Sequence, residues 1–309
     1  MCYVLGLSLG FATRSQTSAL KAQLRLTTSS RFPPLLHQKE GSIVRKPTKK
    51  VVAKLAKHSI PIVDYRNSVF VLSHMRSMST ALTNVLSSHE RISGYGETHV
   101  SYSSPHSVGQ LAVNLMLRRA WTPTCRFLLD KILHNELDAF PDAGFYDARA
   151  VFLVRSPAPA IASVVNLAQR AQGLSLETHE EAAVYYRDRL RQLRRHWRSF
   201  TPARRFGLTS EDLVTNPNNA LARIGDYLGL VPPLRNAYRS HPASRIAGGG
   251  DPLRSGALKA IEPRSSAMDL SPVAGVPEHL SDECITIFQN LKNEFSEKSL
   301  EPVARVNHI

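Results

Sequence analysis

The stretch VFVLSHMRSMSTALTNVL, residues Val69 to Leu86, predicts a buried strand, a tight turn and a helix. Its first part is a continuous apolar run, which is typical of a parallel strand covered on both faces. A turn from such a strand into a helix directs several backbone N–H groups and the positive end of the helix dipole at one point. The stretch therefore predicts an anion-binding loop, with an ordinary strand–helix turn as the alternative.

The composition of this loop limits the anion that it suits. Arg76 supplies a positive charge, and Ser77, Ser79 and Thr80 supply hydroxyl donors, with Ser79 also predicted to cap the helix. The loop lacks the glycines and the Gly-Lys-Ser/Thr ending of a nucleoside-triphosphate loop. Met78 stands where glycine would be expected. We therefore expect the loop to hold a single phosphate-sized group rather than a triphosphate with magnesium.

Strand-like and helix-like segments alternate downstream of Ser68. Strands are predicted at Val69–His74, in ISGY, at Arg149–Val154 and in RRFGLTSEDL, while RFLLDKIL is compatible with strand or helix. Helices are predicted for residues 79–88, 108–119, 158–172, 178–200, 216–228 and 281–297. This alternation predicts a single α/β domain over residues 61–309, with a mostly parallel sheet and helices on both faces.

The positive charge is concentrated before the predicted domain. The formal net charge is +14, and residues 1–60 hold eleven Lys/Arg and one acid, Glu40. The remainder holds 28 basic and 24 acidic residues, a near balance that argues against nucleic acid as a partner. We expect residues 1–60 to be a basic, Ser/Thr-rich leader: a transit peptide for a plastid or mitochondrion, a weak signal peptide, or a disordered segment of a cytoplasmic protein.

The cysteines and the hydropathy exclude several classes of protein. Cys2, Cys125 and Cys284 are far apart and form no CxxC or Cys/His cluster, so the sequence predicts neither a disulfide framework nor a metal site. No stretch approaches the roughly 18–20 apolar residues of a membrane span. We therefore expect a soluble protein without a transmembrane segment.

A second segment, AVFLVRSPAPAIASVVNL, repeats the strand–turn–helix pattern. Its strand ends at Arg155, and Ser163 follows eight residues later inside the next helix. In open α/β sheets, ligands bind at the carboxyl ends of the strands. Both side chains are therefore candidates for contacting one phosphate, although a surface arginine and a helical serine are the simpler interpretation.

Together, these segments resemble the sulfotransferase family that uses 3′-phosphoadenosine 5′-phosphosulfate (PAPS). RSMST after the first strand is similar to the family's 5′-phosphosulfate loop, and RSP with the later serine is similar to its 3′-phosphate site; methionine replaces a glycine and serine replaces an aspartate. FLLDKILHN, FGLTSEDLVTNPNNALARIGDYLGL and GGDPLRSG match further segments in the family's order. The resemblance implies a P-loop-like fold and PAPS bound by Arg76, Ser77, Met78, Ser79, Thr80, Ala81, Arg155, Ser163 and Arg254.

The resemblance also implies the reaction. An acceptor hydroxyl or amine would attack sulfur in line, PAP would leave, and no metal would be required. Lys131 is the match for a lysine near the transferring group. GYGETHVSY places Glu97 and His99 after the second strand, where extended residues i and i+2 face the same side, so both are candidates for the general base. Glu97 is favoured, and His134 is a third candidate.

Three other functions remain open from the sequence. One is a non-catalytic relative that binds nucleotide or sulfated glycan, because Met78 and Ser156 depart from the family pattern. Another is a divergent P-loop kinase or NTPase, for which the lysine beside Ser79 is missing. A basic nucleic-acid binder is the third and weakest. Within the sulfotransferases, GGDPLR and GETH favour the carbohydrate-type or general branch, and we expect the acceptor to be a small molecule or a carbohydrate.

Overall fold

A computed structural model describes residues 46–170, 176–245 and 258–296. Within these residues the strands are β1 Ser68–Ser73, β2 Ile92–Ser93, β3 Phe127–Ile132, β4 Arg149–Val154 and β5 Arg205–Thr209. They form one sheet in the order β2-β3-β1-β4-β5, and every neighbouring pair is parallel. The segment RFLLDKIL, which the sequence left open between strand and helix, is therefore a strand.

The helices follow the predicted alternation. They are α1 Lys46–Ser59, α2 Ser79–Ser87, α3 Ser107–Leu117, α4 Asn135–Asp138, α5 Pro157–Ala168, α6 His179–Ser199, α7 Ser210–Thr215, α8 Pro217–Leu228 and α9 Glu278–Ser296. Thr178 and Glu181 form a capping box at the start of α6. At the end of α8, Gly229 adopts a left-handed φ of 61°, which glycine accepts without a Cβ clash.

Helices cover both faces of the sheet. Phe70 and Leu72 point from β1 into a core that also includes residues of α3, α5, α6 and α9. Val69 and Val71 point to the opposite face and into a core with residues of α2, α7 and α8. Strands buried on both faces require continuous apolar sequence, which explains why β1 and β4 do not alternate with polar residues. The predicted α/β class is confirmed.

The strand order places a ligand crevice beside β1. β1 pairs with β3 on one side and with β4 on the other. The chain continues from β1 towards β2 and β3, but from β4 towards β5, so the connections diverge between β1 and β4. Such a divergence opens a crevice at the carboxyl ends of the strands, where ligands of open α/β sheets bind.

Residues 46–59 belong to the folded part, contrary to their assignment to a leader outside the fold. Ala53 and Ala56 of α1 are buried. At Gly109 of α3 a Cβ would lie only 2.0 Å from the Ala53 carbonyl oxygen, so the two helices cross at backbone contact. The sequence prediction missed this because the basic residues of α1 resemble those of the preceding segment, whereas its small residues form the helix contact.

Candidate active site

The loop between β1 and α2 presents backbone N–H groups at its tip. Arg76 and Met78 both have left-handed φ values, 65° and 68°, while Ser77 between them does not. Left-handed residues in a turn are typical of concave nests of N–H groups that suit an anion, and here the turn leads directly into the N-terminus of α2. The backbone conformation therefore suits a bound anion although the turn holds no glycine.

Two serine predictions in this loop are wrong. The helix is capped by Met78 and without a side-chain hydrogen bond, so Ser79 is its first helical residue and not its cap. The buried Ser77 hydroxyl donates to the His74 carbonyl oxygen at 2.7 Å, inside the loop. It is therefore not a donor on the cleft side, and only the backbone of Ser77 remains for that task.

Arg76, Arg155 and Ser163 converge across the crevice between β1 and β4. Arg76 Nε donates to Ser163 Oγ at 2.9 Å, and Arg155 Nη1 donates to the Arg76 carbonyl oxygen at 3.3 Å. Burial lowers the pKa of Arg155; Glu211 opposes this shift, and the charges of Arg264 and Arg76 add to it. Guanidinium groups held together in this way favour a bound anion, which relieves their repulsion.

Arg264 is a residue that the sequence did not single out. Its Nη2 lies 3.9 Å from Met78 Sδ, and its backbone N–H donates to the Val214 carbonyl oxygen at 2.9 Å. The charge of Arg264 lowers the pKa of Arg155, so Arg264 belongs to the same basic cluster. No motif marks it, because it lies in a Pro- and Ser-containing loop that is brought here only by the fold.

His74 joins the two anion-binding segments. Its Nδ1–H donates to the Met75 carbonyl oxygen at 2.8 Å, and its Nε2 accepts the Arg155 backbone N–H at 3.0 Å. Complete burial lowers the pKa of His74 to about 3, so the ring is neutral, as the acceptor role of Nε2 requires. The β1 loop and the β4 loop are thereby fixed to each other.

Lys131, Glu97 and Thr80 form a second cluster beside the cradle. Lys131 Nζ donates to Thr80 Oγ1 at 3.0 Å and lies 3.1 Å from Glu97 Oε1. Lys131 and Glu97 are 1% and 8% exposed, so their ion pair is shielded from water. The cluster therefore places an ammonium group and a carboxylate next to the first turn of α2, which also includes Ala81.

The segment that holds Glu97 and His99 is not extended throughout, as the sequence prediction assumed. Glu97 and Thr98 are both buried, whereas His99 is exposed and has a left-handed φ of 53°. This turn breaks the extended geometry that would have aligned residues i and i+2. Instead, His134 faces the carboxylate, with its Nε2 3.8 Å from Glu97 Oε2. Burial lowers the pKa of His134, although the charge of Glu97 opposes that shift.

Asp130 fixes the segment that carries Glu97. Its carboxylate accepts the Thr98 N–H and hydroxyl, at 2.9 and 2.7 Å, the Tyr102 hydroxyl at 2.6 Å and the Lys131 N–H at 2.9 Å. Burial raises the pKa of Asp130 to about 6, whereas these donors favour its ionised form. Asp130 therefore orients both members of the Lys131–Glu97 pair through their backbone.

Arg189 of α6 supports the carboxyl ends of the strands, beside the candidate site. This arginine is completely buried; its Nε donates to the Ser73 carbonyl oxygen and its Nη2 to the Ile132 carbonyl oxygen, at the ends of β1 and β3. Asp138 balances its charge at 2.8 Å. In the sequence, the position of Arg189 beside the apolar Leu190 and near Tyr186 is the signal that separates it from the exposed arginines of this helix.

The remaining predicted site residue is Arg254, which lies outside the described residues. Within the described ranges, no group of three or more His, Cys, Asp and Glu side chains is arranged to hold a metal ion. None of the helices in that part of the chain is both long and apolar enough to cross a membrane.

Comparison with known families bears on the central part of the chain. Residues 115–232 match a family model described as Sulfotransferase family. This segment is similar to sulfotransferases. The matched segment covers well under half of the chain and includes Lys131, Arg155 and Ser163, while the β1 loop precedes it. The predicted resemblance to sulfotransferases is confirmed for this segment.

Solved sulfotransferase structures give distant matches. The sulfotransferase domain from the curacin biosynthetic pathway is 19% identical over 73% of this chain and 97% of its own, with a TM-score of 0.46. The sulfotransferase domain of the Synechococcus PCC 7002 olefin synthase is 21% identical over 72% of this chain and 94% of its own, with a TM-score of 0.49. Mouse sulfotransferase SULT7A1 complexed with PAP is 16% identical over 82% of this chain and 93% of its own, with a TM-score of 0.38. No curated protein matches the chain.

Proposed function

We propose that this chain is a PAPS-dependent sulfotransferase that transfers the sulfuryl group to a hydroxyl or amine of a small-molecule or carbohydrate acceptor. One observation carries the proposal: Arg76, Arg155 and Ser163 meet at the divergence of the sheet, directly beside a helix N-terminus and the Lys131–Glu97 pair. A nucleotide with two separate phosphate positions suits this arrangement, because the anion-binding groups come from two different strand–helix turns.

The described residues fit PAPS in two groups. The N–H nest of residues 76–78 and the first turn of α2 would hold the 5′-phosphosulfate, together with Lys131 and Thr80. Arg155 and Ser163, with Arg264 at the rim, would hold the 3′-phosphate, and Arg76 lies between the two groups. Arg254 stays a proposed ligand from the family resemblance. When bound, PAPS supplies the activated sulfuryl group.

Charge stabilisation is the first catalytic task of the chain. As the acceptor oxygen bonds to sulfur in line, the bond from sulfur to the leaving phosphate oxygen breaks, and negative charge grows on that phosphate. Lys131 is well suited to stabilise this charge because it is fixed by Thr80 and Glu97 and shielded from water. The helix N-terminus adds preorganised N–H dipoles that need no reorientation during the reaction.

Proton removal from the acceptor is the second task, and we assign it to Glu97. Its Oε1 is paired with Lys131, and its Oε2 faces His134. A carboxylate beside the transferring group can take the proton from the attacking hydroxyl or amine when the two groups lie within hydrogen-bond distance. His99 remains the alternative base only if the 97–99 segment rearranges, because in this structure its ring is exposed and its own backbone is left-handed.

Binding of PAP tests the proposed nucleotide site. We expect PAP to raise the melting temperature of the full chain while ATP and NAD do not, because a ligand that binds only the folded state stabilises it. Arg155→Gln should weaken PAP binding about 10- to 100-fold, the usual effect of losing a hydrogen bond to a charged group. Arg191→Gln on α6, where the arginine pairs with Asp188 and Glu283, is the matched control.

The outcomes separate the candidate functions. Stabilisation by ATP without a response to PAP would favour the P-loop kinase or NTPase and overturn the proposal. PAP binding without formation of any sulfated product, over a panel of phenols, amines and saccharides supplied with PAPS, would favour a non-catalytic relative. Equal PAP affinity in the Arg155→Gln and Arg191→Gln variants would exclude the assigned 3′-phosphate site.

A further inference from the structure

Three arginines cluster at the amino edge of the sheet, opposite the candidate active site. Arg126 precedes β3, Arg149 begins β4 and Arg204 precedes β5. The guanidinium carbons of Arg126 and Arg149 each lie 5.0 Å from the centroid of the Phe127 ring. Six residues of extended strand separate Arg149 from Arg155, so this cluster lies about 20 Å from the nucleotide crevice.

This cluster has no carboxylate partner within the described ranges. Arg126 Nη1 donates to the Gly229 carbonyl oxygen at 2.7 Å, and Arg204 Nη1 donates to the backbone carbonyl of Asp147. Among the described residues, the Arg149 guanidinium contacts the Phe127 ring but makes no hydrogen bond or ion pair. Burial lowers the pKa of Arg149, and the charges of Arg126 and Arg204 lower it further, while the neighbouring Tyr227 opposes them.

The contrast with α6 shows that the missing counter-charge is particular to this edge. On α6, Arg187 and Arg191 pair with Glu283, and Arg194 and Arg198 share Glu294. The fold thus supplies carboxylates to its other exposed arginine row. For Arg126, Arg149 and Arg204, the described residues supply only carbonyl oxygens and an aromatic ring, which hold the guanidinium groups in place but leave their charge unbalanced.

We propose that Arg126, Arg149 and Arg204 form a second oxyanion site, which binds a sulfate or phosphate group. Guanidinium groups bind such oxyanions through paired N–H donors, and the Phe127 ring keeps two of the planar groups oriented through cation–π contact. The site is separate from the proposed nucleotide site. The bound group is either a free inorganic anion or an ester on an anionic polymer.

Titration with sodium sulfate tests the site. The full chain is titrated at constant ionic strength, with chloride as the balancing salt, and the melting temperature is followed with and without PAP. We expect wild type and Arg191→Gln to be stabilised by millimolar sulfate in both conditions. Arg149→Gln and the exposed Arg126→Gln should need about tenfold more sulfate for the same shift, because each loses a charged hydrogen-bond donor.

The melting temperatures without sulfate show whether the variants themselves are folded. Without sulfate, Arg149→Gln should melt close to wild type, because the charge repulsion that it relieves offsets the cation–π contact with Phe127 that it loses. If Arg149→Gln does not fold, Arg126→Gln carries the test, since its side chain is exposed. Because the expected response does not require PAP, it is independent of the proposed sulfotransferase activity.

A second arm identifies the source of the oxyanion. Heparin, a densely sulfated polymer, is titrated against the same four proteins. Weaker heparin binding by Arg149→Gln and Arg126→Gln, with no sulfate response in any protein, would assign the site to an ester on a polymer. A sulfate response with equal heparin affinities would assign it to a free anion. If all four proteins respond equally to both probes, the proposal is overturned.

Discussion

At the scale of the residue, Met78 is where the β1 loop departs from the glycine-rich form of phosphate loops. Its left-handed backbone costs about 1–2 kcal/mol for a residue with a Cβ. The side chain compensates in part, because it packs against the core that includes α2 and α8, and its Sδ lies near Arg264. The N–H groups of the nest therefore keep their direction although glycine is absent.

A glycine at this position is the direct test of that compensation. Met78→Gly relieves the left-handed strain but removes the buried part of the side chain, so we expect the free energy of unfolding to change by less than about 1 kcal/mol. PAP affinity should stay within about threefold of wild type, since the backbone donors are unchanged. Calorimetric titration measures the affinity, and a complete loss of binding would show that Met78 contributes more than backbone geometry.

A pair of variants distinguishes Glu97 from His99 as the general base. Glu97→Gln keeps an acceptor for Lys131 but removes the base, so we expect PAP binding to persist and sulfuryl transfer to fall about 10²- to 10⁴-fold. His99→Gln should change the transfer rate by less than about twofold, because its ring is exposed to solvent whereas the Lys131–Glu97 pair is buried. The reverse ranking, measured with PAPS and one accepted acceptor, would make His99 the base.

At the scale of the element, the two anion-binding turns act as one unit because buried side chains tie them together. His74 connects the β1 loop to the backbone of Arg155. The Tyr185 hydroxyl of α6 accepts the Met75 N–H and donates to the Leu133 carbonyl oxygen, which links β1 to β3. Arg189 makes a similar link one turn further along α6. These ties preorganise a site whose donors come from distant parts of the sequence.

The neutral state of His74 predicts how stability depends on pH. In the unfolded chain this group takes up a proton near its ordinary pKa of 6.5, whereas in the folded protein it stays neutral until about pH 3. The unfolded state therefore binds more protons in this interval, and stability falls as the pH drops from 6.5, by up to about 1.4 kcal/mol per pH unit.

Denaturant unfolding of wild type and His74→Gln between pH 5 and pH 8 measures this effect. The variant should be less stable at every pH, because it disturbs the hydrogen bonds to Met75 and Arg155, but its stability should fall less steeply below pH 6.5. Parallel curves for the two proteins would mean that His74 does not stay neutral in the folded state.

The contact between α1 and α3 predicts a steric effect far from the site. In Gly109→Ala the new Cβ would lie 2.0 Å from the Ala53 carbonyl oxygen, so the helices must separate, and we expect a loss of about 1–3 kcal/mol in the free energy of unfolding. Gly225→Ala in α8 is the matched control: its Cβ meets nothing closer than 3.7 Å, and it should stabilise the protein by about 0.5–1 kcal/mol. Equal effects would argue against the close crossing.

At the scale of the whole molecule, the sheet order decides which predicted residues meet. β1 lies between β3 and β4, so the carboxyl ends of these three strands bring together the β1 loop, Lys131 and Arg155. The same order brings the amino ends of β3, β4 and β5 to the opposite edge, where the unpaired arginine cluster lies. A single topology thus creates two basic regions separated by the length of the strands.

The sequence by itself determined the α/β class, the strand ends and several residues at them, because buried parallel strands read as apolar runs and their turns carry polar residues. It did not determine the direction of side chains in irregular segments. His99 turned outward and Ser77 inward because of local φ angles and hydrogen bonds that have no periodic signature. Only the tertiary structure placed His134 beside Glu97, Arg264 beside Met78 and Arg189 beneath the strands, because each is brought there by packing between segments far apart in sequence.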